Sequence, residues 1–239
     1  MKKYLKYIKA PLFIGLLALV FGFSSLRNKE KKILDVEVKF VNGDNLFISY
    51  EMVNKLLIQN YGALKSKPKE TIILSSLESV LQSNEMIEDA DVFLTVDGKL
   101  CASIKQKTPI ARVNDEGVAY YIDSKGAKMP LSSNYSARVA IISGVKGKDH
   151  TKVYVLAKRI FNDEFLHQQI IGIECKDEEE FVLKTRIGGQ KIELGSLNKL
   201  ERKFKKLKAL YQKKLKDNTL DNYQTINLMF EDQVVCTKK

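Results

Sequence analysis

Residues 10–26, APLFIGLLALVFGFSSL, carry no charged side chain, and this run constrains the fold more than any other feature of the 239-residue chain. As a helix it would rise about 1.5 Å per residue, slightly short of a hydrocarbon core of about 30 Å. Lys6 and Lys9 can reach toward headgroups, and Tyr4 and Tyr7 suit a membrane interface. The expected element is a single transmembrane helix. A cleaved signal peptide, using the small residues Gly22 and Ser24, and a buried core helix are the competing readings. Arg27, Lys29, Lys31 and Lys32 follow at once and oppose processing. Basic residues flank the run about equally, so charge bias does not orient it. A short tail at 1–9 inside and a large domain outside is the expected arrangement.

The rest of the chain is ordinary globular material. Hydrophobic residues make up 44%, with 13 Gly and 4 Pro, which excludes disordered and fibrous classes. Cys101, Cys175 and Cys236 are far apart with no CxxC pair, so neither a disulfide scaffold nor a zinc or redox motif is expected. Buried, inert thiols are the expectation. The net charge of +11 is concentrated: residues 1–32 hold +7, residues 197–216 hold +8, and the remainder is −4. The high pI therefore reflects two local features and does not by itself mark a nucleic-acid binder.

Hydrophobic periodicity predicts an α+β chain. Residues 34–40 alternate as a half-buried strand, and Asn42-Gly43-Asp44 reads as a turn. Ser49 caps a helix through Gln59 with Met52, Val53, Leu56 and Leu57 inward, and a second helix runs over 75–83. Strands at 92–96 and 99–105 flank Asp97-Gly98, a two-residue hairpin signal. This strand-helix-helix-strand-strand module closes near Pro109. From Ile110 the chain reads as a mainly antiparallel β domain. Strands are expected at 118–122, 127–131, 137–142, 168–175, 181–187, 191–194, 223–230 and 233–237. Helices are expected at 151–161 and at 197–216, the second capped by Ser196.

Catalytic constellations are missing. His150 and His167 lack metal-site spacing, His150 reading as a solvated loop residue and His167 as a structural one. No GxSxG or GxxxxGK[ST] motif occurs, Gly188-Gly189 is a hairpin turn, and Glu178-Glu179-Glu180 is a solvated acidic run. Asp123-Ser124-Lys125-Gly126 is turn chemistry. No enzyme and no cofactor are expected. The basic helix reads as a surface element whose apolar stripe, Leu200, Phe204, Leu207, Tyr211 and Leu215, packs on a sheet. Attraction to anionic lipid is the second reading.

Three motifs, in order, carry a resemblance. Asn84-Glu85-Met86-Ile87-Glu88-Asp89-Ala90-Asp91-Val92 is followed by the hairpin and by Ile104-Lys105-Gln106-Lys107-Thr108-Pro109-Ile110-Ala111. Tyr120-Tyr121-Ile122-Asp123-Ser124-Lys125-Gly126 comes next, and Glu193-Leu194-Gly195 precedes the basic helix and a closing strand pair. With the anchor, this order resembles the FtsQ/DivIB bacterial cell-division proteins, and the first module looks like a POTRA domain. Glu85 stands where that family often has Pro, and Gln106 or Lys107 where Glu is common.

The resemblance implies a non-enzymatic divisome scaffold in the inner membrane at the septum. Its partners would be small bitopic coiled-coil proteins of the FtsB/DivIC and FtsL kind, linking early division components to septal peptidoglycan synthesis. It carries the partner-binding role by position onto Phe230, Asp232, Val234 and Cys236, with neighbouring Gln233 and Val235. A terminal strand at a sheet edge can accept another strand, which suits that role, and the edge position is the expected one, with an interior strand as the alternative. Two other functions stay open. One is a POTRA protein of outer-membrane assembly or secretion; the other is an anchored cytosolic domain binding nucleic acid through residues 199–216.

Overall fold

The computed structural model describes residues 2–29, 31–41, 46–115, 117–145, 150–176 and 179–239. The chain divides into two compact units, Met1–Gln106 and Lys107–Lys239. The turn expected at 42–44, residues 147–149 before His150, and Glu178 of the acidic run lie outside the described residues.

The first unit opens with α1, Lys2–Lys29, a single helix of 28 residues with Pro11 inside it. It contains the whole uncharged run, and its apolar side chains between Leu12 and Phe23 are exposed. The transmembrane helix expected at 10–26 is not established: among the described residues no helix is long and apolar enough to cross a membrane.

The β-α-α-β-β module follows. Strand β1, Asp35–Phe40, leads to α2, Tyr50–Tyr61, whose first turn is capped where the Met52 N–H donates to Ser49 Oγ at 3.3 Å. Val53 and Leu57, four residues apart, are the buried stripe of α2. Met52, expected inward, falls off that stripe and is exposed. Helix α3, Leu74–Gln82, buries Leu77 and Leu81 by the same spacing. Strands β2, Ile87–Leu94, and β3, Lys99–Gln106, pair antiparallel around a turn where Gly98 takes φ +91°. Strand β1 pairs parallel with β3, so the sheet order is β1-β3-β2. One core joins Leu100, Ala102, Ile104, Ala90 and Val92 of the sheet to Val53, Leu57, Leu77 and Leu81 of the helices. Burying each such leucine contributes about 1.5–3 kcal/mol.

The second unit contains β4 (Pro109–Asp115), β5 (Val118–Asp123), β6 (Lys128–Met129) and β7 (Ala140–Ser143). Helices α4 (Thr151–Phe161) and α5 (Glu164–Gln169) precede β8 (Ile170–Cys175), β9 (Phe181–Thr185) and β10 (Lys191–Gly195). Helix α6 (Leu200–Lys216), β11 (Tyr223–Asn227) and β12 (Val235–Lys238) complete it. The strands form one nine-stranded sheet in the order β12-β11-β10-β9-β8-β7-β4-β5-β6. It is more mixed than expected, because β4–β7, β7–β8 and β10–β11 are parallel pairs. Each of those links passes through a long connection, which is what parallel neighbours require.

Several boundaries differ from the expected ones. Residues 168–169 end α5 instead of opening a strand, because the Asp163 carboxylate caps that helix by accepting the Leu166 N–H. Ser196 does not cap the basic helix. The helix starts at Leu200 after Lys199 adopts a left-handed conformation, and the Ser196 carbonyl instead accepts a bond from Lys203. His150 is not a free surface imidazole, since its Nε2 lies 3.2 Å from Tyr120 Oη and its Nδ1 is buried. His167 packs edge-on against Phe161. Asp123 is 2% exposed, and its carboxylate accepts the N–H groups of Lys125 and Ala127 at 2.9 and 2.8 Å, closing the β5–β6 turn.

Candidate functional site

One row of side chains crosses the sheet of the second unit on its core face: Val113, Ile142, Ile173, Leu183, Ile192, Ile226 and Cys236 stand opposite one another in register. All but Cys236 are buried, and α4, α5 and α6 supply the residues that cover them. The row ends at Cys236 because β12 is an outermost strand. Its thiol, half-buried beside Lys214, is pushed up in pKa by burial.

The backbone polarity of β12 follows from its neighbours. The Leu228 N–H donates to the Glu193 carbonyl, so alternate residues of β11, including Ile226, bond β10, whereas Thr225 and Asn227 face β12. Thr237 and Val235 answer them, and the Lys239 N–H continues the same side by donating to Asn222 O. Cys236 and Lys238 therefore turn their N–H and C=O outward. Among the described residues no side chain bonds those outward groups.

Two sets of contacts hold the last two strands. Beneath β11, Thr185, Gln190 and Tyr211 form a buried polar network. Thr185 Oγ1 and Gln190 Oε1 lie 3.1 Å apart, and Gln190 Nε2 donates to the Leu220 carbonyl at 3.1 Å. The Tyr211 hydroxyl reaches Gln190 Oε1 at 3.4 Å, and burial raises its pKa. This ties α6 to the 3₁₀ turn Leu220–Asn222 that launches β11.

The second set lies along 228–234. Strand β11 stops at Asn227, three residues before the expected end, because Asn227 Oδ1 accepts the Met229 N–H at 2.9 Å and turns the chain. Met229 packs so closely on Gly195, at φ +65°, that a Cβ there would lie 2.8 Å from Met229 Cγ. The N-terminal half of α6 then grips the loop. Lys199 pairs with Glu231, Arg202 with Asp232 at 2.6 Å, and Lys206 Nζ donates to the Phe230 and Glu231 carbonyls. The hydrogen bond from Lys199 holds the Glu231 carboxyl below its usual range. Lys203, 8% exposed, donates to the Leu194 and Ser196 carbonyls at 2.8 and 2.7 Å, and burial lowers its pKa.

The residues named for partner binding thus divide into three groups. Phe230 (48% exposed), Asp232 and Gln233 lie in the loop, Asp232 already paired with Arg202. Val234 sits one residue before the strand and packs against the core. Val235 (40% exposed) and Cys236 open β12 itself. Lys199, Arg202 and Lys206 were missed by sequence reasoning, which assigned the helix lysines to water. The readable signal was Glu231-Asp232, an acidic pair in the turn that follows a basic helix. Among the described residues no group of three or more His, Cys, Asp or Glu is placed to hold a metal ion.

The fold defines a mixed α+β protein: a POTRA-like module, then a large sheet with an open terminal strand. Comparison with known families divides the chain in the same way. A family described as a POTRA-like domain matches residues 33–105, and one described as FtsQ/DivIB, C-terminal related, matches residues 108–237. The chain belongs to the FtsQ/DivIB family, a family of non-enzymatic cell-division scaffolds. No curated protein matches it.

Proposed function

We propose that the protein is a divisome scaffold that binds small bitopic coiled-coil proteins of the FtsB/DivIC and FtsL kind by strand addition at β12. The observation that carries this reading is the unpaired outward edge at Cys236 and Lys238, bordered by the exposed apolar side chains Met229, Phe230 and Val235. A partner strand would take its affinity from main-chain bonds and its selectivity from alternate side chains. Residues 10–26 would hold the chain in the inner membrane at the septum, with residues 1–9 inside and residues 33–239 outside. The support for this anchor is the uncharged run in the sequence at residues 10–26, flanked on both sides by basic residues. The nucleic-acid reading loses ground, because Lys199, Arg202, Lys203, Lys206 and Lys208 each have a partner within the second unit.

The test is co-purification of the full chain with a small bitopic coiled-coil partner from dividing cells, with and without Cys236→Pro. Proline there removes an outward donor while the bonds of Val235 and Thr237 to β11 stay, and should abolish capture. Equal capture by a folded Cys236→Pro variant would overturn the assignment. Carbonate extraction tests the anchor, which predicts that the chain stays with the membrane pellet.

A further inference from the structure

The sheet of the first unit also has an outer strand, β2, but its edge is in a different state. Ile104 turns its carbonyl to Val41 on the β1 side, so Ser103 and Cys101 bond toward β2, where they face Asp91 and Phe93. Ala90 and Val92 therefore direct their N–H and C=O away from the sheet. Those groups are already occupied by side chains. The Val92 N–H donates to Glu78 Oε1 at 2.8 Å, Gln82 Nε2 donates to the Ala90 carbonyl at 3.2 Å, and the Ala90 N–H donates to Asp89 Oδ1 at 3.0 Å. Gln82 Nε2 also reaches Asp89 Oδ1 at 3.1 Å.

The geometry imitates a strand. In a parallel ladder one residue of the neighbour bonds the C=O before, and the N–H after, the residue it faces. Around Asp91 these are Ala90 C=O and Val92 N–H, met by an amide donor and a carboxylate acceptor. Glu78 and Gln82 stand four residues apart on α3, beside the buried Leu77 and Leu81, so the helix that covers the core also presents the two polar ends. An antiparallel strand is refused as well, because its rung at Ala90 would need both groups that Asp89 and Gln82 hold.

We propose that Glu78 and Gln82 are an edge guard that closes β2 to strand addition by a second copy of this chain. An unguarded outer strand with Phe93 and Val96 exposed beside it is a template for pairing between copies. The guard goes beyond the scaffold reading and does not depend on it, since it lies wholly in the first unit.

The experiment uses the full chain in detergent micelles, with amide exchange followed residue by residue and association followed by sedimentation velocity. In the unaltered protein the Val92 amide should exchange at least about tenfold more slowly than the Cys236 amide, although both point away from their sheets. Equal rates would overturn the guard. Glu78→Ala/Gln82→Ala should speed exchange at Val92 by about tenfold with Ala102 unchanged, and should add a concentration-dependent association step. Adding Val92→Pro should remove that step. A folded double variant with unaltered Val92 exchange, or with unaltered association, would overturn the proposal. Should the double variant not fold, Glu78→Lys gives the same two readings, against Glu78→Gln, which keeps the acceptor and should behave as the parent.

Discussion

Two outer strands of this chain, β2 in one sheet and β12 in the other, are treated in opposite ways. At β2, three side chains occupy the outward backbone groups of Ala90 and Val92. At β12, the outward groups of Cys236 and Lys238 have no such cover among the described residues, while the loop before them is pinned by Lys199, Arg202 and Lys206. A strand end is a hazard by default, and concealment is the usual remedy. An edge held rigid but left bare is therefore a functional signal in a way that mere exposure is not.

The largest effect that would break this contrast is at β12 itself. Cys236→Pro should weaken partner capture by about 100-fold or more and leave the second unit folded, because the donor lost points outward and the bonds to β11 are kept. Thr237→Pro removes a donor that faces β11, so it should also detach the strand. Circular dichroism melts paired with a binding titration separate the two, and identical behaviour would refute the assigned polarity. Next comes Gly195→Ala. It forces a Cβ against Met229 at a left-handed φ and should cost about 1–3 kcal/mol, read from urea unfolding of the second unit with the first unit's transition unmoved.

A smaller effect concerns acid. At Asp163 burial pushes the carboxyl up, but hydrogen bonds from Lys208 and Arg159 and from the Leu166 N–H outweigh it, so its pKa ends below the usual value. A depressed pKa gives stability that is complete above the unfolded value near 3.8 and lost as pH falls through the folded one. Asp163→Asn should therefore lower the urea midpoint at pH 6 and flatten its fall between pH 4 and about pH 2. The smallest effect is at the clamp. Arg202→Glu should weaken partner docking several-fold with little change in melting, since exposed pairs add little stability. Combining it with Asp232→Arg should restore docking.

Local chemistry made much of the fold readable. Ser49, Asp97-Gly98, Asp123 through Gly126 and the apolar period of α6 each act through neighbours a few residues away. Features set by distant contacts were not readable. Lys199 turns left-handed beside the carbonyls of Leu194 and Ser196 that Lys203 holds, and no propensity at 196–199 announces that. Asp163 was legible as a cap in principle, but the strand was expected to begin at Gln168, inside the helix that Asp163 caps. At the site, the edge position of β12 was anticipated while its polarity was not. Polarity depends on which rungs β11 already shares with β10, a fact of sheet order and not of residue type.

Strand β12 is paired along its length to β11, and β11 is tied through Leu220 and Gln190 to α6. A tug on a docked partner along the strand axis would strain all of those rungs at once, whereas a sideways tug would part them singly. The same joint would thus resist a pull in one direction and peel readily in the other.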